Sequence, residues 1–191
     1  MPGSLRVWFA TSNDHKFKEG RFVLQVFGIA LSRLSSKGEE IQSDDPSEIA
    51  VHAAAEAYGA FRKPLFVEDT GLFINSLRGF PGTNASFVFQ TLGLGGVLKL
   101  MNGVTSREAE FVSSVAYCDG SSDPLVFSGR LRGRVALRPL GSGGFGFDPV
   151  FVPSGGRRTL AQMTIAEKCA ISHRALALKA LGQWLSPNRS R

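Results

Sequence analysis

Four apolar residues, Val7-Trp8-Phe9-Ala10, run without alternation and stop at Thr11-Ser12-Asn13-Asp14. A half-exposed strand would alternate, so this run predicts a buried strand over 6–11 with a helix close behind it. Phe17, Val23, Leu24 and Phe27 give that helix a rough stripe over 16–27. The same alternation of element types continues down the chain. Residues 30–34 predict a short second strand. Asp45-Pro46 predicts a helix start, proline being tolerated at the first helical position, and an alanine-rich helix follows over 47–61. Residues 65–69 predict a strand ending in acid, Gly71 a turn, and 72–77 a further strand. One or two short helices, broken near Gly93, Gly95 and Gly96, are expected over 84–101. Residues 108–117 and 124–137 predict an antiparallel hairpin around the turn-rich 119–123. A glycine-rich loop, 141–146, precedes a strand over 149–152. Thr164-Ile-Ala-Glu167 forms a capping box, and Ser172 caps a last helix carrying Leu178, Leu181 and Leu185. Interleaved strands and helices without an internal repeat mean an α/β chain with a mixed sheet.

At 191 residues, the chain suits one domain or two closely joined lobes. With 43% hydrophobic residues, it can bury a core without disulfides or structural metal. Cys118 and Cys169 form no CxxC and are expected as reduced cytosolic thiols. His15, His52 and His173 do not cluster with them, which argues against a zinc site. The apolar stretch near the start is far short of the roughly 18 residues that cross a membrane, so a cytoplasmic chain with no membrane partner is expected. The net charge of +6 suits polyanionic partners, including phosphorylated small molecules. Residues 186–191 are expected as a disordered basic tail.

Several groups can carry chemistry. Glu68 and Asp69 close an apolar strand, where ligands bind in open α/β sheets. Neighbours on a strand point to opposite faces, so the two carboxylates have different roles. A carboxylate there can hold Mg²⁺ or take a proton from water; a solvated strand end before a turn is the alternative. The acids Glu39, Glu40, Asp44, Asp45 and Glu48 offer a second metal ligand, or a negative helix start. Thr11-Ser12-Asn13 and Lys16 open a helix, where free N–H groups and a cation suit an anion; capping by Ser12, Asn13 or Asp14 is equally compatible. No GxxxxGK[ST] is present, which excludes a Walker-type site, and no GxSxG, which argues against a serine hydrolase. Gly141-Ser-Gly143-Gly-Phe-Gly146 fits GxGxxG but leads into a strand, so it is expected as a ligand loop in which Phe145 or Phe147 stacks on a base. Arg130, Arg132 and Arg134 share one strand face, expected to be solvated rather than bound to nucleic acid. His173-Arg174 at a helix start can donate to carbonyl or phosphate oxygens.

Four segments together resemble the inosine-triphosphate pyrophosphatases: FATSNDHK (9–16), VEDTGLFINSLRGFPG (67–82), GSGGFGFDPVFVP (141–153) and AEKCAISHRALALKAL (166–181). They stand in family order over nearly the whole chain. The resemblance implies an α/β fold with a long curved mixed sheet, flanking helices and two lobes around a central substrate cleft. It also implies a homodimer with no stable nucleic-acid partner. The implied reaction is hydrolysis of ITP, dITP or XTP to the monophosphate and pyrophosphate, with Mg²⁺. Position by position, Thr11, Ser12, Asn13, Asp14, His15 and Lys16 match the triphosphate-binding turn. Asp69 matches the proton acceptor or metal ligand, Thr70 a substrate contact, and Glu40 the other Mg²⁺ ligand. Glu68 is expected to support the metal through water. Phe145, Gly146, Phe147 and Asp148 match the nucleotide loop, and Lys168, His173 and Arg174 further substrate contacts, the last two near the purine 6-oxo group. Ser12 replaces a common glycine, and 83–88 lacks a tyrosine common in the family.

Overall fold

The computed structural model describes residues 5–35 and 41–186. One seven-stranded sheet runs through them. Its strands are β1 (Arg6–Ala10), β2 (Ala30–Leu34), β3 (Leu65–Ile74), β4 (Pro81–Gly82), β5 (Glu108–Cys118), β6 (Leu125–Val135) and β7 (Phe151–Pro153). The order is β2-β1-β3-β5-β6-β7, with β4 also on β3. β1 lies parallel to β2 and β3, and the remaining pairs are antiparallel. The helices are α1 (Asp14–Leu24), α2 (Pro46–Phe61), α3 (Ala85–Thr91), α4 (Gly93–Leu100), α5 (Ile165–Ile171) and α6 (His173–Leu185). Glu39, Glu40 and residues 187–191 of the expected basic tail lie outside the described residues.

The sheet is covered on both faces because its strands carry apolar groups on both. Val7, Phe9 and Phe66 pack with Val23, Leu24, Leu178 and Leu181 of α1 and α6. Ala10, Leu65 and Ala116 face α2. That helix presents Ala50, Ala54 and Ala57, small residues at helical spacing that let its backbone lie close to the strands. Further along β3, Leu72 and Ile74 join Val88, Val97, Phe111 and Phe151 in a third cluster under α3 and α4. The caps are those the residue types dictate. The Asp45 side chain accepts from Ser47 N–H (2.8 Å), and Thr164 and Glu167 form the reciprocal box.

Three local expectations are corrected. Gly71 makes no turn, and β3 runs through it to Ile74. A Cβ at Gly71 would sit 2.5 Å from the Phe73 ring and 3.1 Å from the Gly82 carbonyl, so glycine admits β4 rather than bending the chain. Residues 75–77 form a 3-10 turn instead of extending the strand. Asp148–Val150 is likewise a 3-10 turn, with Pro149 in its first positions, so the following strand begins only at Phe151.

Gly129 of β6 positions the last helix. A Cβ there would lie 2.7 Å from Ala177 N and closer still to the His173 carbonyl. Both are backbone atoms of α6 and cannot rotate away. Gly129→Ala is therefore expected to lower unfolding free energy by about 3 kcal/mol, at the upper end of ordinary overpacking. Urea denaturation measures it, and an unchanged midpoint would show that α6 has room to retreat.

Candidate active site

β1 pairs with β3 only at Trp8–Leu65 and Phe9–Phe66, and β4 pairs with it from Leu72–Gly82 onward. Among the described residues, no strand pairs with 67–71 on that side. The sheet has a gap, and Glu68, Asp69 and Thr70 stand at its bare edge. The Lys16 ammonium reaches into it and donates to the Glu68 carbonyl (3.0 Å). Strand alternation sends Glu68 and Thr70 toward α1 and α6, and Asp69 toward α2, in register with Ser114 of β5.

Glu68 is buried and heavily engaged. Its Oε2 lies 2.9 Å from Lys16 Nζ and its Oε1 3.1 Å from Arg174 Nε. Ser113 Oγ donates to Oε1 (2.5 Å), as does the Thr70 hydroxyl. Two hydroxyls and the Arg174 guanidinium converge on Oε1, and the Lys16 ammonium stands beside Oε2. Glu68 is thus an anchor between α1, α6 and β5. Burial pushes its carboxyl up, but Arg174 and Lys16 outweigh that and hold it well below the usual carboxylate range. Arg174 Nη1 also donates to Glu19 Oε2 (2.7 Å), and Glu19 Oε1 meets Lys168 Nζ at 2.7 Å. Lys168 in turn pairs with Asp148. Asp148, Lys168, Glu19, Arg174, Glu68 and Lys16 form an unbroken chain of alternating charge, three carboxylates against three cations. For Glu19, burial again pushes the carboxyl up, and Arg174 and Lys168 hold it below its ordinary value. For Asp148, burial prevails over Lys168 and its carboxyl is raised.

The turn at 11–16 comes to the cleft with part of its donor set already used. Asn13 caps α1, its Oδ1 accepting from the N–H groups of His15 (2.9 Å) and Lys16 (3.1 Å). Thr11 Oγ1 accepts from Asn13 N–H (3.1 Å). The Asp14 carboxylate faces Arg33 instead of the cleft, and Ser12 is exposed. Lys16 is the cation the turn presents. Of the two loop aromatics, Phe147 is buried and meets Phe89 edge-on. Phe145 stands at the cleft, its ring 5.0 Å from His15 and near-parallel to it, with Lys168 Nζ at 4.8 Å and Arg174 Cζ at 5.3 Å. Gly146, between them, takes a left-handed φ of 58°. A small cleft lies between α1, the glycine loop and α5, lined by His15, Lys18, Gly143, Gly144 and Lys168. His173 is packed into the core, stacked on Phe111 at 4.5 Å. Burial, and then Arg174 beside it, push its imidazole well below its ordinary pKa, so the ring is neutral. Arg130 and Arg132 share Glu110 (2.9 and 3.4 Å) on an exposed strand face.

Two members of the site escape sequence reasoning. Glu19 has a usable signal, because it lies three residues after Lys16 and shares its helix face. Ser113 has none, since its relation to Glu68 exists only through the β3–β5 register.

Residues 7–184 match the model of the Ham1 family. The chain is 43% identical over 184 residues to the dITP/XTP pyrophosphatase of Methanopyrus kandleri, covering 96% of this chain and 98% of that one. It is 42% identical over 184 residues to the dITP/XTP pyrophosphatase of Thermococcus kodakarensis, covering 96% and 99%. A solved HAM1 protein structure from Coxiella burnetii superposes with a TM-score of 0.82 at 29% identity, covering 95% of this chain and 98% of that one.

Two outcomes are expected. Glu68→Gln leaves buried cations short of a counter-charge and should lower unfolding free energy by about 3–5 kcal/mol, read from the urea midpoint. Second, the unfolded chain takes up a proton near pH 6.5 that native His173 refuses, so stability should fall as pH drops below about 6.5. The slope approaches about 1.4 kcal/mol per unit and should shrink in His173→Phe. Glu19 and Glu68, with native pKa values held low, add their own loss only below about pH 4.5.

Proposed function

The chain belongs to the Ham1 family, and from that premise we propose that it is a nucleoside-triphosphate pyrophosphatase, a hydrolase acting on acid anhydrides. Its substrates are ITP, dITP and XTP, which it cleaves to the monophosphate and pyrophosphate, keeping these bases out of DNA and RNA. The observation that carries this is the bare β3 edge, with Asp69 on one face and the Lys16–Glu68–Arg174 cluster on the other. A triphosphate laid across that edge meets Lys16 and the start of α1, while its base reaches Phe145, Lys168 and Arg174.

The donor chemistry suits Mg²⁺, which commonly takes one or two protein carboxylates plus substrate phosphates. Asp69 would hold it, with Glu40, outside the described residues, as the second carboxylate. When bound, Mg²⁺ supplies charge neutralisation to the phosphates. Lys16 adds a fixed positive charge beside them. Asp69 orients a water against the α-phosphorus and takes its proton. A bond forms from the water oxygen to that phosphorus, the bond to the bridging oxygen breaks, and pyrophosphate leaves.

Base selection falls to Arg174 and His173. Glu19, Glu68 and Thr70 fix the guanidinium of Arg174 and leave part of its donor set unused. A neutral His173 can present an N–H. Such donors pair with a 6-oxo group and face the amino group of adenine unpaired. Each unpaired buried donor costs about 1–3 kcal/mol, roughly 5- to 150-fold in kcat/KM.

The same reading takes 1–191 as one domain of two lobes, supported by the single sheet that joins the core clusters. It takes the working form as a homodimer, supported by exposed Phe87, Leu92 and Leu100 on the α3–α4 surface. It places the enzyme in the cytoplasm without a stable nucleic-acid partner. No helix among the described residues is long and apolar enough to cross a membrane.

The test incubates the protein with ITP, XTP, GTP, ATP and dUTP plus Mg²⁺ and identifies the released ion. Pyrophosphate from ITP and XTP is expected, with Asp69→Asn lowering kcat by orders of magnitude while the protein stays folded. Release of orthophosphate, or preference for dUTP, overturns the reading. Near-normal turnover by the variant removes Asp69 from the chemistry.

A further inference from the structure

His15 carries an exposed imidazole on the first turn of α1, one residue before Lys16. Its backbone is fixed, since its N–H donates to the Asn13 cap (2.9 Å). Its ring packs against an aromatic neighbour. It lies face to face with Phe145 at 5.0 Å and 19° between planes. Phe145 belongs to the glycine loop on the other side of the cleft, where its N–H donates to Asp148 Oδ2 (2.8 Å), which ties the backbone and leaves the ring to its side-chain neighbours. Lys168 at 4.8 Å and Arg174 at 5.3 Å lie against that ring too. These two cations are themselves locked by Glu19. His15 is thus the aromatic member of the set that fixes Phe145.

We propose that His15 is a positioning residue for purine recognition: it holds the Phe145 ring, which Lys168 and Arg174 also flank, in place beside the base and does not serve as a phosphate cation. The inference rests on the pyrophosphatase reading above and sharpens it. It couples the phosphate-facing turn to the base-facing loop through one ring pair. An aromatic pair of this geometry shifts an equilibrium about 2- to 12-fold. Its loss should therefore weaken substrate binding and not the chemical step.

Steady-state kinetics on ITP, with wild type and five variants, test this. His15→Ala should raise KM about 3- to 10-fold, the size expected of one aromatic contact. His15→Phe, which keeps a flat ring and has no charge, should return KM to within about two-fold of wild type. His15→Lys, which carries a cation and no ring, should not. In a Phe145→Ala background, His15→Ala should add nothing, because residues acting through one another are not additive. Rescue by lysine and not phenylalanine overturns the proposal. So does additivity with Phe145→Ala, or an unchanged KM in His15→Ala. A wild-type protein inactive on ITP sinks the pyrophosphatase reading as well, whereas wild-type turnover with the wrong variant pattern sinks only this inference.

Discussion

Six side chains of alternating charge, from Asp148 through Lys168, Glu19, Arg174 and Glu68 to Lys16, hold the cleft in its shape. Moving one such ion out of water costs several kcal/mol even after relaxation. None of these charges is tolerable in the interior alone, and each is compensated only while its neighbours are present. Their elements are therefore fixed together. Lys16 and Glu19 bring α1, Lys168 brings α5, Arg174 brings α6, Glu68 brings β3, and Asp148 brings the glycine loop. The close contact at Gly129 sets α6 against β6, which delivers Arg174 to the chain at a fixed depth.

On the proposed function, the exposure of these groups decides which of them an incoming phosphate meets first. The Lys16 side chain is 19% exposed, whereas Glu68 is 0% and Arg174 3%. The interior members are neutralised by one another and buried. The terminal cation alone presents an appreciable surface to solvent. On that reading a phosphate and Glu68 compete for the same ammonium group, while Arg174 keeps Glu68 ionised.

Much of this was legible in the residues. Unbroken apolar runs marked β1 and the first half of β3, and Asp45-Pro46 and Thr164–Glu167 marked helix starts that the structure keeps. The long hairpin of β5 and β6 followed from two patterned runs around a turn-rich segment. At Gly71 the sequence cannot separate the two uses of glycine, since one needed for close approach looks, in one dimension, like one needed for a turn. Along the chain the neighbours of Glu68 are Val67 and Asp69. Apart from Thr70, its side-chain partners come from α1, α6 and β5. Arg174 and Glu19 are 155 positions apart, a separation no local pattern reports. Phe145 and Phe147 were equivalent on paper, and only the packing of Phe89 separates the buried ring from the one at the cleft.

The gap beside 67–71 has a second consequence. An unpaired strand edge is a template on which another polypeptide can add itself, and proteins usually shorten, cover or charge such edges. Here the vacant stretch is bounded by β1 below and β4 above, and it carries Glu68 and Asp69. It is too short to seat a typical strand of 5–6 residues with its flanks, and Lys16 already occupies one of its carbonyls. A polyphosphate has no such length requirement and brings its own acceptors. On the proposed function, the interruption that admits a small anion is also the one that denies a neighbouring chain a full strand to pair with.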